Sequence, residues 1–489
     1  MTLNRPSLSR LVPGPAEVVF LVVVGLVTVG GRHSLFNDPG TAWHLRLGRE
    51  ILAKGEVPRT DFLTFTHKGE AWVDQSWAFD TVLAVMVNQW GWSSVVAATA
   101  VGLGLIYAGV ARALMSDGIA PIVAVVVAIL AAGLGSIHFL VRPHLVTFAM
   151  VFLTLRACQK QHEGHRWSVM WTPIYTAILA NVHGGFVALP VIVATAGIGH
   201  LISGPWDKAR IRNVLTFGVA FDLCLLAGLL NPYGYGLYHH VFYLLLYSGV
   251  TSLICEYQPA PFGQPDAQIL EWVLLALLAL PVVSARKVDR YNLTHVLVWL
   301  HLALTSIRNS PLFAFVAAPA LATLIDGLPL TSRESWKKHQ TVSIWPGIVI
   351  VSMLVLMAQG FSLGGFSEER WPFRALATLN REPTNARLFH EQDWGGFLEA
   401  ETLPIRQSYL DDRFELFGRQ EIIEYADVLT GGPAWDVMNN RDRIDLVWLK
   451  PDRGLARRLL KEPGWTKLYS DKLSIVFKRD DRGKIATTH

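Results

Sequence analysis

Long apolar blocks separated by short polar loops run through the first three quarters of the chain. They fall at 17–31, 93–112, 119–138, 144–158, 169–182, 185–203, 213–230, 269–285, 291–307, 311–328 and 343–361. A crossing helix needs about 20 apolar residues, so these eleven blocks predict membrane helices with soft ends. Two shorter blocks, 78–90 and 235–249, are flanked by aromatics or histidines and predict partial or surface-lying helices; counting them as crossings gives 13 spans instead of 11. From about residue 365 the pattern changes. Short β-type runs at 386–390, 407–410, 444–449 and 473–478 alternate with helical runs at 417–430 and 453–462. The pattern predicts an all-α polytopic membrane domain over 1–364, with an external loop at 32–77, followed by a small extracytoplasmic α/β domain over 365–489.

Composition agrees. Of 489 residues, 51% are hydrophobic and 17% charged, against about 25% charged in soluble domains. A net charge of +4 with no basic stripe outside the loops argues against a nucleic-acid partner. Cys158, Cys224 and Cys255 show no CxxC spacing, so neither a zinc site nor a disulfide framework is suggested. Arg5 and Arg10 precede the first apolar run without a small-x-small cleavage site, which reads as an uncleaved signal anchor.

Basic residues set the expected topology. With the N-terminus inside, the inner loops hold Arg112; Arg156, Lys160 and Arg166; Lys208, Arg210 and Arg212; Arg286, Lys287 and Arg290; and Arg333, Lys337 and Lys338. The short outer loops hold almost none, as the positive-inside bias requires. Every polar interruption with chemical character then lands outside: the 32–77 loop, Val141-Arg142-Pro143-His144, Asn181-Val182-His183-Gly184-Gly185, Asn231-Pro232-Tyr233-Gly234 and Arg308-Asn309-Ser310-Pro311. Non-helical backbone at membrane depth is tolerated where it lines a cavity or is buried in protein.

Asp38-Pro39 opens a helix bearing Trp43, Leu47 and Ile51 at i, i+4 spacing, the pattern of an amphipathic helix on the membrane face. Asp38 reads as its cap. It reads equally as a carboxylate, kept ionised by a helix N-terminus, that takes a proton from an attacking hydroxyl. Asp74, between Trp72 and Trp77, is either an interfacial residue or a second acid of the site. Arg142 and Arg308 sit at outer helix ends and either snorkel to headgroups, pair with Asp38 or Asp74, or hold a phosphate in a planar fork. His183, before paired glycines, and the weaker His44 and His144 are hydrogen-bonders or substrate ligands. Tyr233 and the following His239-His240 line a groove or belong to an aromatic belt. Without HxH or HExxH spacing, a divalent metal is the less favoured reading. In the tail, Asp411-Asp412-Arg413 reads as a salt-bridged turn.

These residues resemble the GT-C class of integral-membrane glycosyltransferases, which includes protein O-mannosyltransferases, lipid A aminoarabinose transferases and oligosaccharyltransferase catalytic subunits. The likeness lies in an N-terminal span, an external loop with an early aspartate, Asp38-Pro39 with Trp43-His44-Leu45-Arg46, then Gly55-Glu56-Val57-Pro58. The Asp-Pro…Trp-His-Leu-Arg run is similar to the oligosaccharyltransferase branch. Trp394-Gly395-Gly396 with Asp411-Asp412-Arg413 resembles the tail of bacterial membrane proteins grouped with these enzymes. No WWDYG-like acceptor motif is found in the tail, which argues against peptide as the acceptor. The resemblance implies a polyprenyl-phosphate-linked sugar donor, an external active site in the bacterial inner membrane, inversion at the anomeric carbon and Asp38 as general base. The acceptor would be a glycan, lipid or protein hydroxyl. The rival expectation is a transporter, flippase or non-catalytic scaffold for lipid-linked glycans. That rival predicts repeat symmetry and broken helices near mid-membrane; the breaks here fall at one face and no repeat is seen, although Asp222 lies inside an apolar run.

Overall fold

The computed structural model describes residues 12–329, 343–402 and 406–480. Arg5, Arg10, Arg333, Lys337 and Lys338 lie outside the described residues. The chain divides into two compact units.

The first unit, residues 1–35, 90–238 and 254–364, is helical. All eleven apolar blocks carry helix. Among the described residues four helices are long and apolar enough to cross a membrane: Trp92–Ser116, Pro121–His138, Gly184–Ile202 and Ile307–Asp326. Four shorter apolar helices are Pro15–Gly30, Ser168–Leu179, Ala267–Val283 and Trp345–Ala358. Small residues let these helices close up. A Cβ at Gly104 would stand 2.8 Å from the Phe20 ring, and one at Gly199 3.1 Å from the Tyr291 backbone.

The second unit, residues 36–89, 239–253 and 365–489, joins the first polar loop to the C-terminal segment. Its sheet is built of β1 (Leu388–His390), β2 (Leu446–Leu449), β3 (Trp465–Ser470) and β4 (Ile475–Arg479), in the order β1-β2-β4-β3. The β1 and β2 strands run parallel; β2–β4 and β3–β4 are antiparallel. Side chains alternate between two cores, as the period of two dictates. Phe389, Val447, Leu449, Ile475 and Phe477 meet Phe417, Tyr425 and Trp435 on one face. Leu388, Leu446, Trp448 and Val476 meet Trp371, Trp394 and Phe397 on the other. Of the expected strands, 407–410 contributes only an isolated bridge, Ser408 to Thr64, while β3 was not foreseen. Its alternation is blurred by exposure and by a register shift between Lys467 and Tyr469.

Candidate functional site

The helix Gly40–Lys54 begins two residues after Asp38. Pro39 occupies the cap position, and the Gly40 N–H donates to Asp38 Oδ2 at 2.8 Å. The aspartate therefore holds the helix start from one residue earlier than a standard cap. Residues Gly40 to Leu45, Leu47, Gly48 and Ile51 are buried, so the apolar face of the amphipathic helix is packed against protein.

What packs against its start is the tail. A Cβ on Gly396 would stand 2.7 Å from the Pro39 carbonyl oxygen and 3.1 Å from the Trp43 nitrogen. Gly395 likewise faces the Leu410 carbonyl and Asp411. The glycine pair of Trp394-Gly395-Gly396 is thus the place where the helix Gly395–Thr402 meets both the Asp38 helix and the Asp411 turn. The Trp43 indole N–H donates to Asp412. Arg413, fully buried, binds Asp411 and, at 2.8 Å, Asp61 of the first loop, and stacks 4.7 Å over the Trp72 ring. The salt-bridged turn read from the sequence is present, with Asp61 as an additional partner.

One turn along, Gly48 lies against the helix that starts at Trp77; a Cβ there would sit 1.8 Å from the Asp80 carbonyl oxygen. This close approach brings His44, four residues before Gly48 and on the same face, onto Asp80. His44 Nδ1 lies 2.7 Å from Asp80 Oδ1. The Ser76 hydroxyl lies 3.3 Å from the same nitrogen, 3.2 Å from Asp74 Oδ1 and 3.4 Å from Asp80 Oδ2. Asp74 and Asp80 are fully buried and are joined through the Ser76 hydroxyl. Burial pushes Asp74 up to about 6, opposed by hydrogen bonds from Ser76. Burial and then Asp74 hold Asp80 well above the carboxylate range.

The helical unit carries a second group. The chain breaks after the turn Ser136–His138, and the helix His144–His162 begins just beyond Arg142-Pro143. His144 Nε2–H donates to the His138 carbonyl at 2.6 Å. The His144 ring lies 5.3 Å from His138 and 6.3 Å from His183. His183 caps the turn Gly184–Val187: its Nδ1 accepts the Gly185 N–H at 3.2 Å and lies 2.9 Å from Thr147 Oγ1. A neutral ring in that arrangement carries its proton on Nε2. A Cβ on Gly185 would be 2.6 Å from Nδ1, so the close approach signalled by the glycine pair is that of the histidine itself. Arg308 binds Glu256 at 2.9 Å and lies 4.9 Å from the Tyr257 ring centre. Burial raises the Glu256 carboxyl, but Arg308, with His138 and Arg142, outweighs it and holds the group below its usual range. Tyr233 sits in the expected turn, its N–H donating to Asn231 Oδ1 at 2.8 Å.

Of the residues singled out from sequence, His44 and Asp74 meet through Ser76 in the same unit as Asp38. Arg142, His183, Tyr233 and Arg308 belong to the other. Sequence reasoning missed Asp80, Asp61 and Glu256. Asp80 had a signal: with Asp74, Gln75 and Ser76 it makes four polar residues in an aromatic run that enters a helix. Among the described residues no group of three or more His, Cys, Asp or Glu side chains is arranged to hold a metal ion.

No protein-family model matches the chain, and no curated protein does. Solved structures do. The apo oligosaccharyltransferase of Archaeoglobus fulgidus aligns with a TM-score of 0.51 at 13% identity, over 88% of this chain and 69% of its own. The same enzyme tethered through a disulfide to an acceptor peptide containing the NVT sequon aligns with a TM-score of 0.50 at 11% identity, over 97% and 74%. The mycobacterial arabinofuranosyltransferase AftD aligns with a TM-score of 0.49 at 15% identity, over 98% of this chain and 42% of its own.

Proposed function

The chain has the GT-C-like fold of the archaeal oligosaccharyltransferase, and on that premise we propose that it is a membrane glycosyltransferase. It moves a sugar from a polyprenyl-phosphate carrier to an acceptor hydroxyl on a glycan, lipid or protein at the extracytoplasmic face. The acceptor oxygen attacks the anomeric carbon and its proton passes to Asp38. The bond from that carbon to the phosphate oxygen breaks with its electron pair, and the configuration inverts.

The observation that carries this reading is the helix start at Asp38. Its carboxylate is 7% exposed, is oriented by the Gly40 N–H, and has the tail glycines packed behind it. Such a group is held still and close to a helix N-terminus, where its ionised form is favoured. Asp74, joined to Asp80 and His44 through the Ser76 hydroxyl, serves as the second acid. The departing phosphate meets Arg142, Arg308 and the Nε2–H of His183, a stabilisation of developing charge by preset donors. Tyr233 contributes to the substrate groove.

The test is sugar transfer by the purified full chain in nanodiscs, with a radiolabelled polyprenyl-phosphate sugar and a panel of acceptors. Asp38→Asn is expected to lower the rate by about 100-fold or more, the scale of losing a general base. A variant that retains most of the activity, or lipid movement without any transfer by the wild type, would refute the proposal.

A further inference from the structure

Two side chains of the helical unit are polar where their surroundings are apolar. The first is Asp222, on the helix Lys208–Ala227. That helix turns Phe217, Ala220 and Cys224 inward. Its opposite face is an exposed stripe of Leu215, Val219 and Leu226 at helical spacing, and exposed Asp222 lies in the middle of it. The second is His301, on the helix Arg290–Thr305. Tyr291, His295 and Trp299 turn inward there, and exposed His301 lies in an outward stripe of Leu293, Leu297 and Leu304. Among the described residues neither side chain has a hydrogen bond or an ion pair.

The two stand at one depth. Both helices pack on Gly184–Ile202, which is long and apolar enough to cross a membrane. A Cβ on Gly197 would stand 3.1 Å from Phe217, and one on Gly199 3.1 Å from the Tyr291 backbone. Arg210 donates to the His200 carbonyl, and Arg290, at 3.1 Å, to that of Ile202. The two helices therefore start level with the same end of the crossing helix. From those arginines Asp222 is about 18 Å along its helix and His301 about 17 Å, near the middle of a hydrocarbon layer about 30 Å thick. A polar group facing lipid there is costly, and the one-carbon stem of an aspartate is too short to carry its head to the interface. One turn before Asp222, a Cβ on Gly218 would meet nothing within 4 Å, so a second helix can approach the carboxyl closely.

We propose that a second copy of this chain docks side by side in the membrane, with Asp222 of one protomer hydrogen-bonded to His301 of the other. The chain itself carries the complement each group lacks. A carboxyl and an imidazole make one hydrogen bond between them whichever holds the proton. Copies inserted in the same orientation bring the two side chains level, and the leucines around them interlock. Like faces meeting would set Asp222 against Asp222 and leave both imidazoles in lipid.

Native mass spectrometry and cysteine cross-linking of the full-length protein test this. The wild type is expected to be oligomeric. Asp222→Leu and His301→Leu are each expected to weaken association roughly 3- to 30-fold, the range for one hydrogen bond between helices in a membrane, and the double variant no further. On a Cys255→Ser background, which removes the exposed cysteine, Asp222→Cys and His301→Cys proteins mixed in one vesicle are expected to form a disulfide-linked pair, and neither alone. If a leucine variant does not fold, the mixed cross-link decides. A monomeric wild type, as when the helix of a different protein covers Asp222, overturns the proposal. So does an oligomer that both leucine variants leave unchanged, a mixture without the disulfide, or a disulfide formed by Asp222→Cys alone. Sugar transfer is not read in this experiment, so its failure leaves the glycosyltransferase reading standing.

Discussion

His44 Nδ1 and Asp80 Oδ1 lie 2.7 Å apart with both side chains buried, on two helices held together at Gly48. The contact fixes the imidazole one residue from Trp43, whose indole reaches the tail at Asp412. Asp80→Ala strips His44 and Ser76 of this carboxyl and is expected to destabilise the protein by about 1–3 kcal/mol. Asp80→Asn keeps a carbonyl acceptor for His44 and should cost less. Chemical denaturation in detergent ranks the two; equal losses would show that the carboxyl oxygen facing His44 contributes nothing.

Acid should favour the fold through Asp74. Burial pushes its carboxyl up to about 6 from 3.8. Above pH 6 the folded chain holds a charge it disfavours, so the group lowers stability there. As pH falls from 6 towards 4 the folded form takes up the proton first and the penalty disappears. Asp74→Asn, neutral throughout, is therefore expected to gain on the wild type by up to about 3 kcal/mol above pH 6. The gain shrinks towards pH 4. A difference in Tm that stays flat over that range would contradict the assignment of Asp74 as a carboxyl raised by burial.

Gly396→Ala places a methyl 2.7 Å from the Pro39 carbonyl oxygen, an atom of backbone that cannot step aside alone. The expected result is an overpacking cost of about 1–3 kcal/mol and a larger proportional loss of transfer, because the displaced element is the start of the Asp38 helix. A variant that loses stability with unchanged turnover would separate the glycine from the acid.

His183→Asn separates capping from substrate binding. An Asn oxygen can replace Nδ1 as acceptor for the Gly185 N–H, so stability is expected to change by less than about 1 kcal/mol. The Nε2–H is lost, so KM for the lipid donor is expected to rise. A variant with an unaltered donor KM would remove His183 from the phosphate group.

The helices were legible because each apolar block is long and its interruptions are glycine, proline or charge. The sheet was largely legible because β2 and β4 keep dense apolar runs, at 446–449 and 475–477. The helix after Asp38 was located, but its protein partners were not, because Trp43 and Leu47 look the same against lipid or against Leu63 and Trp72. Partners far apart in sequence left no local trace. Nothing near Asp61 announces Arg413, and nothing near Arg308 announces Glu256; their pairing is a property of the assembled chain.

The Asp61–Arg413 pair closes across 352 residues, beside the Thr64–Ser408 bridge. A ribosome produces the segment bearing Asp38 early and the guanidinium that fastens its surroundings late. Until then Asp61 has no cation from the tail and the Gly396 face does not exist. Products of premature termination would hold Asp38 in an unfinished shell, exposed to proteolysis. Completion of translation is thereby a precondition for a finished shell around Asp38.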